Sequence, residues 1–363
     1  GVGSAKSCTL RFAVTRPLVT QGWPVDVPAW GAGCNSRIAA LWSFGAYSGM
    51  DSPVPTILSF GEALWDLLPD GPRLGGAPLN LAHRLHNLGD RGVIATRLGR
   101  DELGQLAVLR MAELGMETGY VQWDDQHATG TVEVKVDARG NPDFTLLPDV
   151  AYDAIEVTYE LLELAQQADC ICYGTVAQRA ATSALTLERL LAVGGGAPRF
   201  LDLNLRKGCY DWSGITRALG QATIVKLNDD EARRVAFGLD LPDAPIPMFC
   251  AALLQKCPLA CCVVTLGERG AFAMSPRGER VYEPGYRVSV VDTCGSGDAF
   301  SAGFLHRYLQ GGSLAECCRL GGALGSLVAT QPGATEPLTL AMVEEFLQAG
   351  VPRVEDPTLV HHL

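Results

Sequence analysis

The chain reads as an α/β protein: a mostly parallel central sheet with helices on both faces, plus a small antiparallel β lid. Three observations predict this. From residue 53 onward, short apolar runs alternate with amphipathic stretches at helical spacing. One region, Thr129–Pro148, instead alternates apolar and polar residues around the turn signal ARGN. Two glycine-rich turns, at Gly75–Gly76 and Gly295–Gly297, each lead straight into a helical run.

In chain order, TILSFGEAL opens as a strand, LNLAHRLHNLG has helical spacing, GVIATRLG is a strand and DELGQLAVLRMAELG a helix. Thr129–Pro148 then reads as an antiparallel hairpin, either a lid over the strand ends or an edge ribbon. The strands DCICYG, RFLDLNL, ATIVKLN and CCVVTLG follow, separated by the helices SALTLERLLAV, DDEARRVAFG and PMFCAALLQK. The last third is helical, through DAFSAGFLHRYLQ, SLAECCRLGGALGSLVA and LTLAMVEEFLQ. The catalytic unit is expected over 53–353, with lid segments at about 64–75 and 118–148, and a tail over 354–363. Residues 1–52 differ. Up to residue 49 they carry one acid, Asp26, against Lys6, Arg11, Arg16 and Arg37, and periodicity is poor. They are expected to be upstream sequence or a disordered appendage, with the functional protein starting near Met50.

At 363 residues, 47% hydrophobic and 19% charged, the chain can build one large domain or two smaller ones. A net charge of −11 argues against nucleic acid or an anionic membrane surface as partner. No apolar stretch reaches membrane-spanning length. The twelve cysteines include no CxxC pair and no nearby His at zinc spacing. They read as buried thiols in a reducing cytoplasm. Cys294, inside the second glycine turn, is expected to be exposed and open to alkylation. The six histidines form no cluster, and His83 and His86 are expected at a helix surface.

The strongest motif is DTCGSGD, Asp292–Asp298, followed directly by a helix. Such a turn aims unpaired backbone N–H groups at one point, and the helix N-terminus adds partial positive charge. Asp298 beside that anion site suggests phosphoryl transfer, with the carboxylate taking the proton of the acceptor hydroxyl. The bland alternative is a Gly-rich turn with Asp298 as a cap. The second motif is GGAPLN, Gly75–Asn80: two glycines allow close backbone approach, and the Asn80 amide both donates and accepts, as a sugar diol requires.

Together, GGAPLN…LG and DTCGSGDAFSAGF resemble the two signatures of the ribokinase-like (PfkB) carbohydrate kinases, in order and spacing, over roughly Thr56–Pro337. GEALWD, GGAPLN and DLNLR resemble fructokinases most, and Ala77 stands where ribokinases carry Lys. The resemblance implies a ribokinase-like fold and ATP-dependent phosphorylation of a sugar primary hydroxyl, with D-fructose the leading acceptor and ribose, 2-keto-3-deoxygluconate or a nucleoside as alternatives. It makes Asp298 the catalytic base and gives Gly295, Ser296 and Gly297 the anion hole, with Ser296 where the family carries Ala. Sugar would meet Asp66, Gly75, Gly76, Asn80, Arg179 and Asp298. ATP would meet Asn204, Arg206, Asn228, Thr265, Gly267 and Gly270. Asn228 and Glu231 resemble an NxxE element that helps hold Mg²⁺, through water; an Asn cap with Glu three residues on is also an ordinary helix start. The resemblance leaves room for K⁺ beside the Asp292 turn and for a homodimer through the lid, whose sheet has edges to cover.

Rival classes fit less well. A dinucleotide-binding dehydrogenase needs GxGxxG after its first strand, where this chain has GEALWD. A P-loop enzyme needs GxxxxGK, and no lysine here follows a glycine. A non-catalytic sugar- or nucleotide-binding descendant of the kinase fold is the rival from another class; the intact Asp298, Asn80 and Glu231 argue against it.

Overall fold

The computed structural model describes residues 54–68, 71–136 and 142–360, with the side chains of 133–136 and 142–144 left aside. The expected N-terminal appendage, the start near Met50, the ARGN turn, and His361 and His362 lie outside the described residues.

A nine-stranded sheet forms the centre. Its strands are β1 (Thr56–Phe60), β4 (Arg91–Gly99), β5 (Val121–Asp124), β8 (Cys170–Tyr173), β9 (Arg199–Asp202), β10 (Ile224–Asn228), β11 (Cys261–Thr265), β12 (Ala271–Met274) and β13 (Arg280–Glu283), in the spatial order β13-β12-β11-β10-β9-β8-β1-β4-β5. Every pair from β11 to β5 is parallel, and β12 and β13 close one edge antiparallel. The strand order reverses about β1, so the crevice at the carboxyl ends of the strands there is the natural ligand position.

Alternation along the strands divides the core. Leu58, Phe60, Ile171, Tyr173, Leu201, Val225 and Val264 face one layer. Against it pack the helices α3 (Tyr159–Gln167), α4 (Ala181–Val193), α5 (Trp212–Gln221), α6 (Asp229–Gly238) and α7 (Ile246–Lys256). Ile57, Cys170, Cys172, Phe200, Ile224 and Cys261 face the other. That side is covered by α1 (Ala77–Asn87), α8 (Ser296–Leu309), α9 (Leu314–Ala329) and α10 (Leu340–Gln348). A third cluster joins Leu79 and Ala82 to Ile94, Leu98 and the buried face of α2 (Glu102–Glu113). The paired cysteines of β8, β11 and α9 are buried free thiols, acting as small hydrophobes as composition suggested.

The second sheet is four-stranded, in the order β3-β2-β6-β7, from β2 (Leu64–Leu68), β3 (Gly71–Gly75), β6 (Gly130–Val136) and β7 (Pro142–Leu146). Two departures from the expected boundaries follow from pairing. Residues 121–124 join β4 in the large sheet, in parallel, and so lie outside the lid. The segment read as a tail is anchored: β15 (Arg353–Val354) pairs with β14 (Gly285–Tyr286), and the short helix α11 (Pro357–Val360) follows. Asp356 there is buried and takes Arg269 Nη1 at 2.6 Å and the Thr358 N–H at 2.9 Å. His83 also differs: it is buried, and desolvation with the neighbouring Arg84 charge pushes its pKa down to about 4.

Replacing Asp356→Ala removes one of the two carboxylates that hold the Arg269 guanidinium and leaves the Thr358 N–H and hydroxyl without their acceptor; stability should fall by about 1–3 kcal/mol. The midpoint of urea unfolding reads this directly, and an unchanged midpoint would mean that the terminal segment contributes nothing to the fold.

Candidate active site

Two close backbone approaches build the site. Gly76 ends the lid hairpin at φ 113°, and a Cβ there would lie 2.4 Å from the Glu62 carbonyl oxygen. Only glycine lets the start of α1 press against the end of β1 in this way. Gly295 is left-handed at φ 74°, and its Cβ would meet Ala334 Cβ at 2.4 Å. The turn before α8 therefore folds flat against the 331–337 loop. That loop is held from behind: Arg84, fully buried on α1, donates to Ala334 O at 2.6 Å and Glu336 O at 2.7 Å.

The turn is fixed by its own first residue. Asp292 Oδ1 accepts the Cys294 N–H at 2.9 Å, Oδ2 accepts the Gly333 N–H at 2.9 Å, and Arg73 Nη1 stands 3.6 Å away. The Ser296 N–H bonds back to Thr293 O at 3.2 Å, so it is spent inside the turn. Gly295, Gly297 and Asp298 have no acceptor for their N–H groups among the described residues. Of the N–H groups expected to form an anion hole, those of Gly295 and Gly297 are free and that of Ser296 is not, while that of Asp298 is free as well. The Ser296 hydroxyl is buried without a partner and does not line the cleft.

Beneath the turn lies an ion pair that the motifs did not single out. Lys226 Nζ on β10 sits 3.1 Å from both carboxylate oxygens of Asp202 on β9, and 3.1 Å from where a Gly297 Cβ would be. Ser301 on α8 donates to Asp202 Oδ2 at 2.7 Å and to Gly297 O at 3.1 Å. Burial would lower the Lys226 pKa, but Asp202, Glu231 and Asp298 outweigh it and raise it, so the ammonium stays charged.

Asp298 opens into this setting. Asn80 Nδ2 donates to Asp298 Oδ2 at 2.8 Å, joining the two glycine motifs across 218 residues of sequence. Desolvation and then the Asp202 charge raise the Asp298 pKa to about 6, against the Asn80 hydrogen bond, Lys226 and Arg206. Burial also raises Asp66, which Arg206 partly offsets.

A cleft of about 400 Å³ collects most of the expected residues: Asp66, Gly76, Asn80, Asn204, Arg206, Asn228, Glu231, Gly295, Gly297 and Asp298 all line it. Asn204 takes left-handed backbone at φ 44°, which turns the chain after β9 toward the cleft. Glu231 and Asn228 form a capping box, Asn228 Oδ1 accepting the Glu231 N–H and Glu231 Oε2 the Asn228 N–H, both at 2.9 Å. Glu231 Oε1 accepts the Leu205 N–H at 2.7 Å. The NxxE element therefore also bolts the Asn204–Arg206 segment to α6.

Other expected residues lie elsewhere. Arg179 lines a separate cavity; its guanidinium is held by Asp153 at 2.8 Å, Leu147 O at 2.6 Å and the Tyr152 hydroxyl at 3.1 Å, so it ties down the segment after β7. Gly75 is outside the lining, with its missing side chain facing Asp66 Oδ2. Thr265, Gly267 and Gly270 lie at and beyond the end of β11, where Thr265 registers against Asn228, and outside the cleft lining. Cys294 is exposed, yet crowding of its sulfur and the charges of Asp66, Asp292 and Asp298 push its thiol up to about 12. Its exposure is as expected, and the raised pKa favours the neutral thiol at neutral pH. Lys226, Asp202 and Glu62 line the cleft without having been singled out, although each sits inside a quoted motif (KLNDDEARR, DLNLR, GEALWD).

Residues 72–341 match the family model "pfkB family carbohydrate kinase". The chain belongs to the PfkB family of carbohydrate kinases. It is similar to a fructokinase of Escherichia coli, 30% identical over 257 residues, covering 68% of this chain and 81% of the relative. It is also similar to fructokinase-1 of Oryza sativa subsp. japonica, 29% identical over 311 residues, 78% of this chain and 94% of the relative. The structure of a Xylella fastidiosa fructokinase with bound ATP superposes with a TM-score of 0.68 at 25% identity, over 81% of this chain and 98% of that one. The fold is therefore ribokinase-like, and the protein is an ATP-dependent carbohydrate kinase. Among the described residues, no helix is long and apolar enough to cross a membrane.

In this PfkB kinase, the Asn80 amide hydrogen-bonds the ionised form of Asp298, so Asn80→Ala should raise the Asp298 pKa above its value of about 6. ¹³C NMR of the carboxyl resonances follows both; a titration that stays put or moves down would show that the amide does not hold the charged form.

Proposed function

We propose that the protein transfers the γ-phosphoryl group of ATP to the primary hydroxyl of D-fructose, giving D-fructose 6-phosphate and ADP. The observation that carries this reading is the Asn80–Asp298 contact, which sets a sugar-binding amide and a carboxylate of raised pKa at the mouth of a turn with unpaired N–H groups. The fructokinases similar to this chain support fructose as the acceptor.

The sugar rests on Asp66, Gly76 and Asn80. Asp298, mostly ionised at neutral pH, accepts the proton of the attacking hydroxyl. The N–H groups of Gly295, Gly297 and Asp298 meet the oxygens of the transferring group, and Arg206 and Lys226 answer its charge. In this reading ATP lies across the carboxyl ends of β9, β10 and β11, against Asn204, Arg206, Asn228 and the Thr265–Gly270 turn; the ATP bound to the Xylella fastidiosa relative supports ATP as the phosphoryl donor.

Mg²⁺ fits the donor set as a hydrated ion. Among the described residues no three His, Cys, Asp or Glu side chains are arranged to hold a metal directly. Each Glu231 oxygen spends one lone pair on an N–H and keeps another for a metal-bound water, with Asn228 beside it. Held through water beside Asn228 and Glu231, the ion would supply positive charge against the phosphate oxygens. The proposal keeps K⁺ beside the Asp292 turn, where each carboxylate oxygen accepts one N–H and retains another lone pair. It also includes a homodimer closing over the β3 or β7 edge of the lid sheet.

ADP release with ATP, Mg²⁺ and a panel of sugars tests the function. D-Fructose should give the highest kcat/KM, and a higher value for ribose, 2-keto-3-deoxygluconate or a nucleoside would overturn the assignment. Asp298→Asn should lower kcat by about 10²–10⁴-fold with sugar affinity within a few-fold; near-normal turnover would remove Asp298 as the base.

A further inference from the structure

Glu62 lies between β1 and the lid hairpin, and its side chain is 4% exposed while lining the cleft. Its backbone is fixed by the close approach of Gly76 to the Glu62 carbonyl. The backbone N–H groups of Glu62 itself and of Ala77, at the start of α1, favour its charged form, yet Oε2 is buried with no hydrogen-bond partner. A buried polar atom left unpaired beside a substrate cleft marks a place where the substrate supplies the partner. The charged and titratable groups around it are Asp298 from α8, Arg206 from the segment after β9 and Tyr152 from the segment after β7.

We propose that Glu62 is a further sugar-binding residue, whose Oε2 hydrogen-bonds a hydroxyl other than the one phosphorylated and so reads the substrate. This rests on the sugar-kinase reading of the cleft. The physical case is one of complementarity. Asp298 must stay ionised, and a second full negative charge beside it would oppose the sugar alkoxide that forms as the proton leaves. Burial, reinforced by Asp298, holds the Glu62 pKa up to about 7, so near neutral pH the carboxyl is protonated in about half of the molecules. A neutral carboxyl both donates and accepts, matching a hydroxyl without adding charge. Glu62 and the floor residues Asp66, Gly76 and Asn80 all come from one short stretch, Glu62–Asn80, so the same segment that forms the lid hairpin would carry the selectivity.

The test is a thermodynamic cycle. Wild type and Glu62→Leu are each titrated with D-fructose and with its monodeoxy analogues, by calorimetry and by KM. In the wild type, one analogue should bind about 5–30-fold more weakly than fructose, and in Glu62→Leu that particular penalty should vanish while KM for ATP stays put. A folded Leu variant in which every deoxy penalty persists overturns the proposal. Should Glu62→Leu fail to fold, Glu62→Gln serves in the same cycle: replacing the carboxyl by an amide should change the penalty of that same analogue and leave the other penalties as they are. An unchanged penalty overturns the proposal. Wild type that turns over fructose but shows no Glu62 coupling refutes the residue's role alone, whereas wild type that phosphorylates no sugar refutes the functional reading with it.

Discussion

Charge is the constraint on which the cleft depends. Among the described residues, six carboxyl side chains, Glu62, Asp66, Asp202, Glu231, Asp292 and Asp298, line it beside two cationic ones, Arg206 and Lys226. Each acid must be paired, hydrogen-bonded or protonated, because an isolated buried carboxylate is far too costly. Lys226 is the pivot. It pairs with Asp202 on the neighbouring strand and lies under Gly297, while Ser301 connects the same carboxylate to the first turn of α8. One ammonium thus ties two strands of the sheet to the helix that begins with the anion turn, and the cleft floor cannot shift without breaking that pair.

Helix α1 holds the turn from two sides. Asn80 reaches Asp298 at the front. One helical turn later, Arg84 reaches the carbonyls of the loop behind it. A fully buried guanidinium held by two carbonyls, its Nε left without a partner, keeps its charge only at some expense, and desolvation lowers its pKa to about 10. It is nonetheless positive at neutral pH, and its field reaches Asp298. Gly295 can lie flat against Ala334 only because that loop is held in place, so the conformation of the turn follows from packing outside the motif as well as from its glycines.

Much of this was legible in sequence, and the residues show why some was not. The glycine turns announce themselves because backbone approach of this kind has few substitutes, and strand alternation reports burial directly: Cys170 and Cys172 face one layer, Ile171 and Tyr173 the other. The Asn80–Asp298 contact could be guessed only by combining distant motifs. Lys226 and Asp202 were hidden because a charged residue in a strand carries no period that separates a cleft-facing side chain from a surface one, and Glu62 because it sits in the short link between β1 and β2, where no period applies. Arg179 misled for the opposite reason. A cation near a strand end suggests a ligand, whereas Asp153 and the Leu147 carbonyl, which hold it, come from a segment whose path only the fold reveals. Residues 121–124 were assigned to the lid because a short strand does not state which sheet it joins.

The basicity of Asp298 is a balance that no one neighbour sets. Seen from it, the Lys226–Asp202 pair is not neutral: the Asp202 charge raises its pKa by more than Lys226 lowers it. Asn80 and Arg206 pull the other way, and the result, about 6, leaves the carboxylate ionised at neutral pH while making it a stronger base than a solvated aspartate. A site that paired Asp298 directly with Lys226 would hold the carboxylate more firmly and weaken it as a base. By giving the ammonium to Asp202 instead, the fold keeps a cation under the glycine turn and leaves the carboxylate beside it free to take a proton.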